Sequence, residues 1–180
     1  QRCYEGLFSP DSARVIYNGI PLASINSFRA VQSRDVVRKE LGYDKDDLLI
    51  LHIGTVCKRK AQLVTAQAFS KLRTRVDFKD KKPKLLMVGA RYIRQHEIEY
   101  IEAIKKELEE SGSTSSATIL DVRKMVLPFY LASDVVVCPS INEVLPLVIC
   151  EAMAFERPVV ASRIDGIPEA LTDGVEGYLV

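Results

Sequence analysis

The sequence contains few of the residues that build metal centres. It has two histidines and four cysteines, and no two of the cysteines form a C-x-x-C pair. Metal sites in proteins usually gather several such ligands at short spacings. We therefore expect neither a metal ion nor another cofactor. Cys138 and Cys150 fall in apolar runs, as core residues do, and this favours a reducing compartment, cytoplasmic or facing the cytosol.

Charge and hydropathy exclude further classes of protein. The net charge is only +1, which gives no electrostatic reason to expect nucleic acid as a partner. The basic stretch 73–84 lacks a larger basic face with interleaved aromatic residues, so we predict a solvated loop. No apolar run approaches 18 residues, so no transmembrane segment is expected. The chain starts at Gln1 without an apolar signal region, and we expect it to be part of a longer protein.

Short apolar runs alternate with helical patterns along the whole chain. Continuous apolar runs are typical of strands buried on both faces, and such an alternation predicts an α/β fold. The length of 180 residues fits one domain. We therefore predict a Rossmann-like parallel sheet with helices on both faces. The predicted strands are 48–53, 84–89, 117–122, 135–138, 159–161 and one at Tyr178, with a short strand before the Asn18-Gly19 turn. The predicted helices are 30–41, 61–72 with Val64, Ala68 and Leu72 on one stripe, 95–111, 125–132 interrupted by Pro128, 147–155 and a short one from Pro168.

The stretch 135–155 brings two carboxylates to one helix start. Glu143 lies in the polar turn after the 135–138 strand, and Pro146 opens the next helix. That helix is apolar nearly all round, so Glu151 in its middle needs a partner or a ligand. The free N–H groups of the helix start favour a phosphate, and the carboxylates favour hydroxyl groups. These residues predict a nucleotide or nucleotide-sugar site. The alternative is that Glu143 is a solvated loop residue and Glu151 pairs with a structural Arg or Lys.

A second candidate segment follows the 48–53 strand. Gly54 at the strand end permits close approach of a ligand to the backbone, and Lys60 adds positive charge near a helix start. The segment is neither a P-loop nor a G-x-G-x-x-G fingerprint, because it lacks the required second glycine. The alternative is an exposed, lysine-rich turn.

The block from Glu143 to Glu151, followed by Ala152-Met153-Ala154, resembles the Glu-x7-Glu signature of the retaining glycosyltransferases with the GT-B fold, the glycosyl transferases group 1 family. The flanking segments 132–140, 157–162, 165–169 and 173–180 resemble the same family, and the resemblance extends from about Val15 to Val180. It implies that residues 21–180 are the nucleotide-sugar-binding, C-terminal half of a GT-B fold. Residues 1–20 would be an interdomain segment or the start of this domain. The N-terminal acceptor domain and the last C-terminal helices would lie outside the chain.

The resemblance also implies roles for single residues. Glu151 would accept hydrogen bonds from the ribose of the donor, and Glu143 would contact the donor sugar. Lys60 matches the lysine of the family's Gly-Arg-x-x-x-x-Lys-Gly loop and would neutralise the leaving diphosphate, which makes Lys60 and Glu143 the catalytic candidates. Thr55 stands in place of the arginine and Ala61 in place of the last glycine, so either Lys58 or Arg59 compensates or diphosphate binding is weaker. The remaining donor-binding candidates are Gly54 in that loop, Leu145, Pro146, Leu147 and Val148 at the diphosphate, and Val122 and Arg123 at the base.

The function implied by the resemblance is transfer of a sugar from a UDP-, GDP- or ADP-sugar to an acceptor held mainly by the missing N-terminal domain. The 180 residues alone are expected to bind the donor without turning it over. Two alternatives stay open. One is a GT-B relative such as a nucleotide-sugar epimerase or a phosphorylase. The other is a non-catalytic nucleotide-binding module, which is favoured by Thr55 and by Val144, where the family usually has glycine.

Overall fold

The computed structural model describes residue 14 and residues 16–74 and 80–180. The predicted short strand before Asn18 lies largely outside these residues, and the predicted segment 1–20 is described only at 14 and 16–20, without regular structure. Short 3-10 turns occupy Lys58–Lys60 and Thr114–Ser116. In chain order the elements are α1 Leu22–Val31, α2 Arg34–Glu40, β1 Asp47–Ile53, α3 Gln62–Leu72, β2 Lys82–Ala90, α4 Gln95–Glu110, β3 Ala117–Asp121, α5 Leu127–Ala132, β4 Val135–Cys138, α6 Leu147–Ala154, β5 Val159–Ala161, α7 Ile167–Ala170 and β6 Gly177–Leu179.

The six strands form one parallel sheet, which confirms the predicted Rossmann-like fold. Their order is β3-β2-β1-β4-β5-β6. Every ladder is parallel, so all strands end at the same edge of the sheet. The order reverses direction between β1 and β4, and in open α/β sheets such a reversal leaves a crevice at the carboxyl ends where ligands bind.

Apolar side chains cover both faces of the sheet. Along β1, Leu49 and Leu51 point into a cluster with α5 and α6, whereas Ile50 points into a cluster with α3 and α4. This alternation explains why β1 reads as a continuous apolar run, because each successive side chain enters a different core. The core is thus built around the same strands whose ends carry the candidate site.

The single helix predicted for 30–41 is wrong. Gln32 and Ser33 have extended backbone and separate α1 from α2. Val31 is exposed, while Val37 and Arg38 of α2 are buried. The break turns α2 so that the Arg38 guanidinium reaches the Ala132 carbonyl and the Asp134 carboxylate. A buried arginine with these partners, which the apolar periodicity does not reveal, fixes the direction of the helix.

Two other helix predictions also need correction. Pro128 does not interrupt α5, because the helix begins at Leu127 and proline is tolerated within a first turn. On α3 the inward residues are Thr65, Ala66 and Phe69 rather than the predicted stripe. The stripe of Val64, Ala68 and Leu72 instead lines an open apolar groove beside the uncovered sides of β4 and β5, together with Val135, Val137 and Val160.

Within the described residues, no helix is both long enough and apolar enough to cross a bilayer.

Candidate functional site

Two glycines shape the loop after β1. Gly54 has φ +142° and Gly89, at the neighbouring strand end, has φ +129°. A Cβ on Gly89 would lie 2.1 Å from the Gly54 carbonyl oxygen, so only glycine permits this approach of β1 and β2. The Lys60 side chain lies over Gly54, with its Cε 3.8 Å from where a Cβ of Gly54 would be. Ala61 follows with φ 58°, a left-handed conformation in which glycine carries no steric penalty.

The loops after β1 and β4 are joined by charged side chains. The Lys60 ammonium donates to Oε1 of Glu143, and Arg59 donates to the same oxygen at 2.9 Å. Arg59 also donates to the Asn142 carbonyl at 3.1 Å, and its own carbonyl accepts from the Ile141 N–H at 2.9 Å. Glu143 is therefore neither a solvated loop residue nor unpaired, because two cations converge on one carboxylate oxygen.

The loop after β5 supports Glu143 from the other side. The Glu143 N–H donates to Oδ2 of Asp165 in this loop at 2.9 Å. Within the loop after β4 itself, the Ser140 hydroxyl donates to Oε1 of Glu143 at 3.2 Å. A Cβ on Gly166 would lie 1.7 Å from the Val144 carbonyl oxygen, so the two loops touch through their backbones. This packing fixes the position of Glu143 before any ligand arrives.

Glu151 lies half-buried on α6. Its partner is a tyrosine hydroxyl, not the structural Arg or Lys of the alternative interpretation. The Tyr130 hydroxyl donates to Oε2 of Glu151 at 2.5 Å. Tyr130 is fully buried and stacks on Phe155, with ring centroids 5.7 Å apart. Burial, together with the Glu151 carboxylate, raises the pKa of Tyr130, so its hydroxyl stays protonated as a donor.

A neutral histidine lies beneath the Lys60 loop. His52 on β1 is buried, and its Nδ1 lies 2.8 Å from the Thr65 hydroxyl. Burial, and to a lesser degree the positive charge of Lys60, lowers the pKa of His52 to about 3. His52 is therefore uncharged at neutral pH and adds no positive charge beside Lys60.

The other predicted residues lie at the same sheet edge or at the start of α6. Thr55, Val122 and Arg123 are exposed, and the Val122 N–H donates to the Ala90 carbonyl at 3.1 Å. Pro146 is the N-cap of α6 rather than its first residue, Leu147 is exposed and Val148 half-buried. Leu145 lines a cleft of about 300 Å³ with Tyr17, Asn18, Cys150, Met153, Glu169 and Ala170. In the described part of the chain, no hydrogen bond joins Glu151 to Glu143 or Lys60.

The sequence analysis did not identify Tyr130 or Asp165, and it did not distinguish Arg59 from Lys58 as the compensating cation. A tyrosine in the otherwise apolar segment Leu127–Ala132 is the signal that pointed to a buried polar contact. Asp165 precedes a glycine in a turn, which signals local backbone bonding only. Within residues 16–74 and 80–180, no three His, Cys, Asp or Glu side chains converge as metal ligands would.

The arrangement suits a ligand that combines an anion with hydroxyl groups. Two cations and the free N–H groups at the start of α6 can attract phosphate oxygens. Glu143 and Glu151 are acceptors, so they can bind hydroxyl groups but repel phosphate. Basic groups that bind phosphate, beside acidic groups that bind hydroxyls, are what a nucleotide or nucleotide-sugar site requires.

Comparison with known proteins agrees with this geometry. The sequence profile of the family described as glycosyl transferases group 1 matches residues 47–180. The lipopolysaccharide 1,2-N-acetylglucosaminetransferase of Salmonella typhimurium is 30% identical over 148 residues, covering 81% of this chain and 38% of that enzyme. The D-inositol 3-phosphate glycosyltransferase of Actinosynnema mirum is 30% identical over 185 residues, covering 97% of this chain and 42% of that enzyme. The chain thus spans about four tenths of these relatives.

The fold is also shared with solved structures. Anabaena HepE, crystallised in complex with UDP and glucose, superposes with a TM-score of 0.77 at 23% identity over 93% of this chain and 42% of that one. At this identity the likeness establishes the fold alone.

Proposed function

Because this chain belongs to the glycosyl transferases group 1 family, we propose that it is the donor-binding domain of a retaining glycosyltransferase that uses a nucleotide-diphosphate sugar. The observation that carries the proposal is the convergence of Lys60 and Arg59 on Glu143 at the carboxyl edge of the sheet. The complex of the similarly folded HepE with UDP and glucose supports the ligand class. UDP-, GDP- and ADP-sugars are all candidates, with the sugar acceptor bound by the remainder of a longer protein.

In this proposal Lys60 binds the diphosphate and stabilises the negative charge that develops on it as the glycosidic bond breaks. An ammonium group placed at the leaving group stabilises the transition state more than the ground state, because the charge grows during the reaction. The N–H groups of α6 contribute in the same sense through the helix dipole. No metal ion is needed for this neutralisation.

Arg59 supplies the second positive charge at the diphosphate, which the uncharged Thr55 cannot supply. Thr55 is exposed and uncharged, whereas Arg59 already reaches the loop after β4 and contacts Glu143. A guanidinium group also matches the planar geometry of two phosphate oxygens. Lys58 is exposed, and in the described part of the chain no side-chain hydrogen bond holds its ammonium group at this edge.

The carboxylates act on the sugars. Glu143 contacts hydroxyl groups of the donor sugar, and Glu151 accepts from the ribose. The N-terminal part of a longer protein supplies the acceptor site, so the 180 residues bind the donor and do not transfer it. Sugar transfer by these residues alone would contradict the last statement.

The experiment that tests donor binding is a calorimetric titration of the chain with UDP, GDP and ADP. We expect one of them to bind, and Lys60→Ala and Glu151→Ala each to weaken it about 10- to 100-fold, since each removes a hydrogen bond to a charged group. Lys58→Ala removes an exposed charge from the same loop, and Glu109→Ala removes one from α4; both serve as matched controls. Failure of all three nucleotides to bind would overturn the proposal.

A non-catalytic nucleotide-binding domain is the second candidate, and the uncharged, exposed Thr55 favours it. The two candidates differ in the longer protein that contains this chain. Transfer activity that disappears with Glu143→Gln, while the nucleotide still binds, supports the enzyme. Retention of the anomeric configuration in the product supports the retaining mechanism. Nucleotide binding without transfer or hydrolysis supports the second candidate.

A further inference from the structure

In the part of the chain that the structure describes, only one of the two carboxylate oxygens of Glu151 is free to bind a ligand. Oε2 accepts the hydroxyl hydrogen of Tyr130 at 2.5 Å. Oε1 accepts no hydrogen bond from any residue that the structure describes. The hydroxyl has a single hydrogen to donate, and turning the carboxylate away would leave this buried donor without a partner. The contact therefore fixes which oxygen of Glu151 is free.

Tyr130 is itself held rigidly. It is fully buried on α5, 21 residues before Glu151, and its ring stacks nearly parallel on Phe155, with an interplanar angle of 13°. Phe155 directly follows α6 and is fully buried as well. The phenol thus ties α5 to the helix that carries Glu151. Within the described residues, the one polar group of its side chain, the hydroxyl, has Glu151 as its partner.

We propose that Tyr130 is a positioning residue that orients the Glu151 carboxylate, so that Oε1 alone accepts the hydrogen bond from the ribose of the bound nucleotide. The inference deepens the proposed function and rests on it. Tyr130 makes no contact with the nucleotide in this arrangement. Its effect passes through Glu151 and concerns the ribose hydroxyls, not the diphosphate or the base.

The test compares a ribonucleotide with an analogue that lacks both ribose hydroxyls. The probes are whichever of UDP, GDP and ADP binds most tightly, and its 2′,3′-dideoxy form. The ratio of the two dissociation constants measures what the hydroxyls contribute. We expect a ratio of about 10 or more for the unaltered chain, since one hydrogen bond to a carboxylate is worth about this factor.

Tyr130→Phe keeps the ring and its stacking on Phe155 but removes the hydroxyl. We expect the ratio to fall at least about threefold, while the dissociation constant of the dideoxy probe changes less than about twofold. Tyr100→Phe is the matched control. Tyr100 is also largely buried, but its hydroxyl oxygen accepts from the Leu63 N–H, away from Glu151. A ratio that is equal in Tyr130→Phe and in the unaltered chain would overturn the inference.

Glu151→Gln provides a second, independent arm. With Tyr130 present, the amide carbonyl must accept from the phenol, so the NH₂ group faces the ribose. A neutral donor then replaces the charged acceptor, and the ratio should fall at least about threefold. In the Tyr130→Phe background the amide is free to turn, and Glu151→Gln should cost little further. Effects of the two substitutions that simply multiply would show that they act independently and would overturn the inference. If Tyr130→Phe does not fold, a high ratio in Glu151→Gln alone does the same.

The outcomes separate the two proposals. Absence of binding to UDP, GDP and ADP overturns the proposed function and this inference with it. Tight binding with a ratio near 1 in the unaltered chain leaves a nucleotide site but overturns the role of Glu151 and Tyr130 at the ribose. Tight binding with a high ratio that survives Tyr130→Phe overturns only the inference.

Discussion

The Lys60 ammonium contacts the Glu143 carboxylate across the boundary between β1 and β4, although 83 residues separate them in the sequence. Arg59 contacts the same carboxylate oxygen. In the proposed function these cations bind a diphosphate, so Glu143 and the diphosphate compete for them. The Glu143 carboxylate therefore weakens nucleotide binding, although sugar transfer requires it.

Glu143→Gln should tighten the binding of UDP, GDP or ADP by about 3- to 10-fold, because it removes the negative charge that competes for Lys60 and Arg59. Calorimetry on the chain measures this gain, and transfer by the longer protein should decline in the same variant. Glu109→Gln changes an exposed carboxylate of α4 and is the control. Weaker nucleotide binding in Glu143→Gln would argue against the competition.

Arg59→Ala should weaken nucleotide diphosphate binding about 5- to 50-fold, because it removes the second cation at the site. Lys58→Ala removes the same unit of charge from the preceding, exposed position and should change affinity less than about twofold at physiological salt. The two titrations form a matched pair. Equal losses in both variants would mean that only the overall charge of the loop matters.

The stability of the fold should depend on pH through His52. Its pKa is about 3 in the folded chain, mainly because it is buried, and about 6.5 when unfolded. Between these values the unfolded chain binds a proton that the folded chain does not, so stability falls as pH decreases below 6.5. His52→Asn should make the decline between pH 6.5 and 5 shallower by about 1 kcal/mol per pH unit in urea unfolding.

The control for this measurement is His96→Asn, which removes the exposed histidine of α4. Its decline between pH 6.5 and 5 should stay steeper than that of His52→Asn. Identical slopes in the unaltered chain and in His52→Asn would contradict the assignment of this pH dependence to His52.

Gly166→Ala should disturb the Glu143 loop from behind. The added Cβ would lie 1.7 Å from the Val144 carbonyl oxygen, so the backbone of one loop must move. We expect a loss of about 1–3 kcal/mol in the free energy of unfolding and weaker nucleotide binding. Gly19→Ala, where a Cβ meets nothing within 4 Å, is the control. Unchanged binding and stability in Gly166→Ala would show that the contact between the loops is dispensable.

The sheet and most helices could be predicted from the sequence because each strand is a short apolar run that is followed by a turn or a loop. The pairing of Lys60 with Glu143 could not, since it depends on β1 and β4 becoming neighbours. The position of Tyr130 beside Glu151 depends on how α5 packs on α6, which local patterns do not contain. The break between α1 and α2 was missed for the same reason, because the buried partners of Arg38 lie in other elements.

The Val64 stripe shows what apolar spacing leaves open. Val64, Ala68 and Leu72 have the spacing of a buried face, yet Val64 is 52% exposed and the three residues line an open groove. Periodicity identifies a face that is apolar, but it does not say what covers that face.

The boundary between β1 and β4 also sets the order in which this molecule can assemble. The two strands share only two register pairs, Ile50 with Val135 and Leu51 with Val136, whereas β1 and β2 share seven. Closing the chain between β1 and β4 spans 85 residues, against 35 for β1 and β2, and longer closures are slower and entropically costlier. We expect β1–β3 to collapse first and β4–β6 to dock afterwards. The contact of Lys60 with Glu143 would then form in the last step of folding and break in the first step of unfolding.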